Sequence, residues 1–104
     1  KRYYKDFKKE YIGMSDIATL ILAGVGEKDF NGELRFEDDD SYRAYIVEGG
    51  DVVIGSHYRK VAEFRSWMRV YDEYELVKEF AANRIVVYRA DGDDCVIQLI
   101  HERS

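Results

Sequence analysis

Few residues in this chain carry side chains that could do covalent or metal chemistry. His57 and His101 are the only histidines and Cys95 is the only cysteine. The histidines show no H-x-H or H-x-x-x-H spacing, and a lone cysteine supplies neither an intrachain disulfide nor a thiolate zinc site. Cys95 beside a histidine would make a nucleophile pair. However, it sits in the apolar alternation of a predicted strand, where a thiol packs and stays inert. Ser56-His57 is adjacency and not a triad, since triads are assembled in space. Gly24-Val25-Gly26-Glu27-Lys28 lacks the G-x-x-x-x-G-K-[ST] phosphate loop, and Glu27 and Asp29 would repel a phosphate. Asp38-Asp39-Asp40 and Asp91-Gly92-Asp93-Asp94 could face a hard cation, but neither has the EF-hand spacing with its terminal glutamate. The expectation is a protein without catalytic residues, cofactor or metal.

What remains is surface chemistry. Nine tyrosines, five phenylalanines and Trp67 exceed the needs of a core this small. Tyr and Trp bury area while keeping a polar tip, so at least one exposed aromatic patch is expected. Charge is uneven: residues 1–13 carry net +3, residues 14–57 net −7 and residues 58–104 net −1. The acidic middle argues against a nucleic-acid binder that works by phosphate neutralisation. Its densest stretch, Glu37, Asp38, Asp39 and Asp40, is the candidate partner-binding segment, where exposed carboxylates would steer a basic partner.

The elements that must position these residues are read from periodicity. One hundred and four residues make one domain over 1–104. Tyr3, Phe7 and Tyr11 form a helical stripe, so residues 2–11 read as a short amphipathic helix ended by Gly13. Ser15 and Asp16 could cap a helix over the residues that follow, but Ile17–Ala23, with β-branched Ile17, Thr19 and Ile21 and glycines after it, reads better as a buried strand. Asn31-Gly32 reads as a turn. Glu33–Glu37 and Tyr42–Val47 read as a hairpin with the acidic tip between them, followed by Gly49-Gly50 and a short extended Val52–Ile54. Tyr58, Val61, Phe64, Met68 and Tyr71 are spaced like one face of a helix over His57–Tyr71, with Ser56 as N-cap. Asp72 with Glu75 reads as a capping box opening a second helix over 73–81. Asp91-Gly92 signals a hairpin of Arg84–Ala90 and Cys95–Ile100. A two-residue turn there would pair Tyr88 with Cys95, Val86 with Ile97 and Arg89 with Asp94. Both faces of this hairpin are apolar, so it should be interior to the sheet or covered on both sides. The predicted fold is α+β: an antiparallel sheet of about five strands, a helical pair on one face and a short N-terminal helix.

Phe7–Ala18, Ser41–Val47, Ile54–Glu73 and Ile85–Ile100 resemble a family of short uncharacterised proteins from phages and mobile elements of Gram-positive gut bacteria. The resemblance implies a stand-alone accessory protein and brings no catalytic residues. The acidic DDD and DGDD stretches stand where more glycine-rich turns are expected in that family. Together with the surface chemistry, it leads to the expectation of a non-enzymatic binding protein acting through protein–protein contacts. The concrete form is an anti-defence inhibitor of the anti-CRISPR type. Its partner would be a host or mobile-element protein such as a basic nucleic-acid-binding effector, with no direct nucleic-acid binding. The alternative is a small-ligand or nucleotide-binding module with a Tyr/Arg pocket; a weak hydrolase has no constellation to support it. A flat acidic or aromatic patch favours the first reading, and a pocket lined by Arg and Tyr favours the second. The first ten residues contain no apolar leader core, and no apolar run is long enough to span a bilayer, so the expected location is the cytoplasm. A start at Lys1 instead of Met reads as a processed or trimmed end.

Overall fold

The computed structural model describes residues 2–3, 8–13, 19–25, 30–35, 41–72, 75–90 and 94–102. Every regular element among them is a strand: β1 (Arg2–Tyr3), β2 (Lys8–Gly13), β3 (Thr19–Val25), β4 (Phe30–Arg35), β5 (Ser41–Glu48), β6 (Val52–Val53), β7 (Arg59–Asp72), β8 (Glu75–Arg89) and β9 (Asp94–Ile100). The α+β expectation, with its helical pair and N-terminal helix, is therefore overturned: the described chain is all-β. Seven strands form one sheet in the order β2-β5-β9-β8-β7-β3-β4, and β1 pairs with β6 in parallel. Side chains are described on the four central neighbours, β5, β9, β8 and β7. The sheet is mixed, because β5 runs parallel to β9 while the other neighbours are antiparallel. Among the described residues no helix is long and apolar enough to cross a membrane.

The two expected helices are instead the arms of the long β7–β8 hairpin, and bulges explain the error. Along β7 the inward side chains are Ala62, Phe64, Met68 and Val70, an alternation broken only where Ser66 is exposed. Val61 is an extra residue between the Lys60↔Tyr88 and Ala62↔Val87 pairs. The bulge at Val61 and the polar gap at Ser66 turn a period of two into spacings of three and four, which imitate a helix. On β8 the extra residues are Asn83 and Val77. The aromatic and β-branched content of both arms favours the extended form. Asp72 and Glu75, read as a helix cap, are the last pair of the hairpin.

The inward face collects Ala44, Ile46, Phe64, Met68, Val70, Phe80, Ala82, Ile85, Val87, Cys95, Ile97 and Leu99 into one core. The bulge at Asn83 shifts the inward residues of β8 from Phe80 and Ala82 to Ile85 and Val87, so both halves of the bent strand still face that core. On the opposite face Val47, Val86, Val96 and Gln98 are also buried. β9 lies between β5 and β8 with both faces covered, as its two-sided apolar pattern predicts. The buried Gln98 amide is satisfied at both ends: Nε2 donates to Gly49 O at 2.9 Å and Oε1 accepts from the Tyr88 hydroxyl at 3.2 Å.

The β8–β9 hairpin forms, but its register is one residue away from the two-residue turn. Arg89 pairs with Cys95, Tyr88 with Val96 and Val87 with Ile97, while Ala90 N–H donates to Asp94 O. Asp91-Gly92, the turn expected from the sequence, lies outside the described residues. A one-residue slip changes which neighbours share a face: Cys95, Ile97 and Leu99 join Ile85 and Val87 instead of Val86. The expected hairpin between the strands flanking the acidic segment is also absent. β4 is at one edge of the sheet beside β3, and β5 lies near the other edge between β2 and β9. Asn31-Gly32 lies within β4, while the strand reading near 17–23 is met from Thr19 onward. Gly49, with φ 106°, ends β5 in a conformation suited to glycine.

Candidate functional site

Among the residues singled out from the sequence, the structure brings none together into a reactive group. Glu37, Asp38, Asp39 and Asp40 lie outside the described residues. His57 is exposed in the turn before β7, its ring 4.4 Å from that of Tyr58, and not at a helix start. His101 is exposed just after β9, with Nε2 3.3 Å from Glu48 Oε2. Cys95 is a free, buried thiol of the core, and burial pushes its pKa up to about 12. Among the described residues no group of His, Cys, Asp and Glu is placed to hold a metal ion.

A different set of residues is brought together on the outward face of the β7–β8 hairpin. In an extended strand, side chains two apart share a face. Trp67, Arg69 and Tyr71 therefore project to one side of β7, away from buried Met68 and Val70. Directly opposite them on β8 are Ala81, Glu79 and Leu76. The Arg69 guanidinium stands 4.4 Å over the Trp67 ring, a cation–π contact. Its Nε donates to Glu79 Oε2 at 2.5 Å. The Glu79 carboxylate, and after it the Tyr71 hydroxyl, raise the Arg69 pKa above its ordinary value. Leu76, 51% exposed, closes the far end of this ladder with an apolar side chain in water.

Two pairs along the hairpin from Trp67↔Ala81, past Ser66↔Ala82, Arg65 stands opposite Arg84. Arg84 is held by Glu63, through Nε to Oε2 at 3.0 Å and Nη2 to Oε1 at 3.2 Å. Lys60 Nζ reaches the same carboxylate at 2.6 Å. Hydrogen bonds from Arg84 first and Lys60 second hold the Glu63 pKa down at about 2, and Glu63 in turn raises that of Arg84. Arg65 is exposed and has no ion-pair partner among the described residues. It opens onto a cleft of about 660 Å³ lined by Arg65, Ser66, Ala81, Ala82, Asn83, His101 and Glu102.

The bulge builds this cleft. Pairing of β8 with β9 ends at Arg84↔Ile100, and the Glu102 N–H then donates to Asn83 Oδ1 at 2.8 Å. Glu102 thus meets β8 through a side chain, at the extra residue that β8 carries. Opposite, Ser66 has φ 72°, a left-handed conformation that disfavours a residue with a Cβ. Such outliers and bulges concentrate where a side chain is aimed or a ligand is clamped.

Sequence reasoning missed this face because Arg65, Trp67 and Arg69 were placed around a helix, where they diverge. The available signal was the alternation of Arg65, Trp67, Arg69 and Tyr71 at every second position. Comparisons with protein-family models, curated proteins and solved structures found no match to this chain.

Proposed function

We propose that this protein is a non-enzymatic binding module that acts in the cytoplasm through protein–protein contacts, as an accessory protein of a phage or mobile element. The observation that carries the reading is the Trp67–Arg69–Tyr71 ladder, with Leu76 exposed across from it. Trp, Tyr and Arg are the residue types that dominate binding energy at protein interfaces. Here cation–π and ion-pair contacts hold Arg69 in place before any partner arrives, which reduces the ordering cost of association. The ligand-pocket alternative asks for Arg and Tyr together, whereas the described cleft is lined by Arg65 without a tyrosine.

The concrete form is an anti-defence inhibitor of a host effector. The test is quantitative mass spectrometry of an affinity pull-down from the native host, run in parallel with wild type and Trp67→Ala. A host protein that is enriched by wild type and lost by the variant supports the reading. Equal recovery by both removes the ladder as the partner surface. The acidic Glu37–Asp40 segment is a second proposed contributor. Changing Asp38, Asp39 and Asp40 to Asn should slow association with the recovered partner at low salt, and an unchanged rate returns the segment to a solubility role.

A further inference from the structure

The cleft beside Arg65 shares Ala81, the cross-strand partner of Trp67, with the ladder, so the two are contiguous. We infer that the cleft is the receptor for a carboxylate side chain, and that the partner presents an acidic, extended protein segment to the β7–β8 face. This inference rests on reading the ladder as the partner surface.

The charge arrangement leads there first. Arg65 and Arg84 are a directly opposed cross-strand pair of like charge, an arrangement that destabilises a hairpin unless an anion intervenes. Glu63 supplies that anion for Arg84 and is shared with Lys60. Arg65 has no such partner within ion-pair distance among the described residues, although Glu102 lines the same cleft and acts on Arg84 through its charge. Residues 59–89 as a whole carry seven Lys/Arg against five Asp/Glu, within a chain of net charge −5.

Donor geometry agrees. Asn83 Oδ1 is occupied by the Glu102 N–H, which leaves the amide NH₂ as a donor. Ser66 and Arg65 line the same cleft. A planar guanidinium with a neighbouring amide and hydroxyl suits the two oxygens of a carboxylate. Ala81 and Ala82 leave room on the β8 side, and about 660 Å³ accommodates a whole side chain. The left-handed Ser66 lines the cleft next to Arg65, the residue that would make the contact.

The same lining disfavours a polyanion. Glu102 lines the cleft, and Glu79 lies on the ladder beside it. A nucleic-acid backbone would meet these carboxylates along with the negative field of the chain. A single Asp or Glu flanked by apolar residues brings one carboxylate to Arg65 and Glu102 instead of a run of charges, and sets its apolar neighbours on the ladder.

The experiment is a display selection of random dodecapeptides on the full-length chain, followed by fluorescence anisotropy. The probes are the best peptide, its copy with Asp/Glu changed to Asn/Gln, and an oligothymidylate. The expected result is peptides with an acidic residue near an aromatic or aliphatic one, and at least about tenfold weaker binding of the amide copy. Arg65→Ala should bind both copies alike, Arg65→Lys should keep part of the discrimination, and Trp67→Ala should weaken both copies. Unchanged urea midpoints show that these variants fold. Peptides that lack acidic residues and respond to Trp67→Ala but not to Arg65→Ala overturn the inference and leave the ladder standing. Oligothymidylate that displaces the peptide at Arg65 with equal or better affinity overturns it in favour of nucleic acid. Failure to enrich any peptide on wild type also overturns it, and the pull-down then judges the ladder separately.

Discussion

Ser66 offers a sharp test of the bulged hairpin, because one exposed residue should respond in opposite directions to two substitutions. Its φ of 72° places a Cβ-bearing residue in the left-handed region, at a cost of about 1–2 kcal/mol. Glycine removes that cost but loses more conformational freedom on folding, by about 0.5–1 kcal/mol. Ser66→Gly should therefore be neutral to stabilising, by up to about 1.5 kcal/mol. Valine cannot relieve the strain, and its branched Cβ makes the region less accessible still, so Ser66→Val should destabilise by about 1–3 kcal/mol. At an ordinary exposed position both changes would stay within about 0.5 kcal/mol. The assay is equilibrium urea unfolding, with the two variants compared at unchanged m-value so that midpoint shifts report stability. A loss of more than about 0.5 kcal/mol in Ser66→Gly, or a neutral Ser66→Val, would refute the left-handed assignment and with it the bulge that forms the cleft.

Three further outcomes are expected. Phe64 is 3% exposed within the core, so Phe64→Ala should cost about 3–5 kcal/mol by cavity formation; a loss below about 1 kcal/mol would remove it from the core face. Glu63 has a folded pKa of about 2 against an ordinary 4.5. A depressed carboxylate stabilises above its unfolded pKa, so this stability should fade as pH drops from about 4.5 towards about 2. Solvent screens the group, whose side chain is 24% exposed, so the contribution is held to about 1 kcal/mol. Acid titration of the urea midpoint should lose this limb in Glu63→Gln, and a limb of undiminished size in that variant would assign it to another group. Cys95 should resist a thiol reagent in the native state, because burial pushes its pKa up to about 12. Rapid labelling without denaturant would contradict its place in the core.

Local sequence carried some of this architecture plainly. The two-sided apolar pattern of Cys95–Ile100 reads as a strand covered on both faces, because a solvated strand would alternate with polar residues. The glycines at 49–50 mark the end of β5, and the short extended stretch after them is β6. Cys95 reads as inert packing from the apolar residues around it. Each of these depends on neighbours a few positions away.

The remainder depended on partners far along the chain. Whether residues 57–81 form helices or strands turned on the pairing of β7 with β8 and β3. Their bulges at Val61, Val77 and Asn83 insert single residues that convert a two-residue period into an apparent helical one. The register of β8 on β9 is one residue away from the one a two-residue turn at Asp91-Gly92 implies, and a slip of one residue redistributes every face. The parallel neighbour of β9 is β5, some fifty residues earlier, and no local pattern names it. The candidate site shows the same division. Residue types told that aromatic and arginine side chains exceed what the core needs. Only an extended β7 aligns Arg65, Trp67, Arg69 and Tyr71 on one face, since on a helix residues two apart point in different directions. Only the fold brings Glu102 to Asn83, which join by a hydrogen bond and line the cleft beside them.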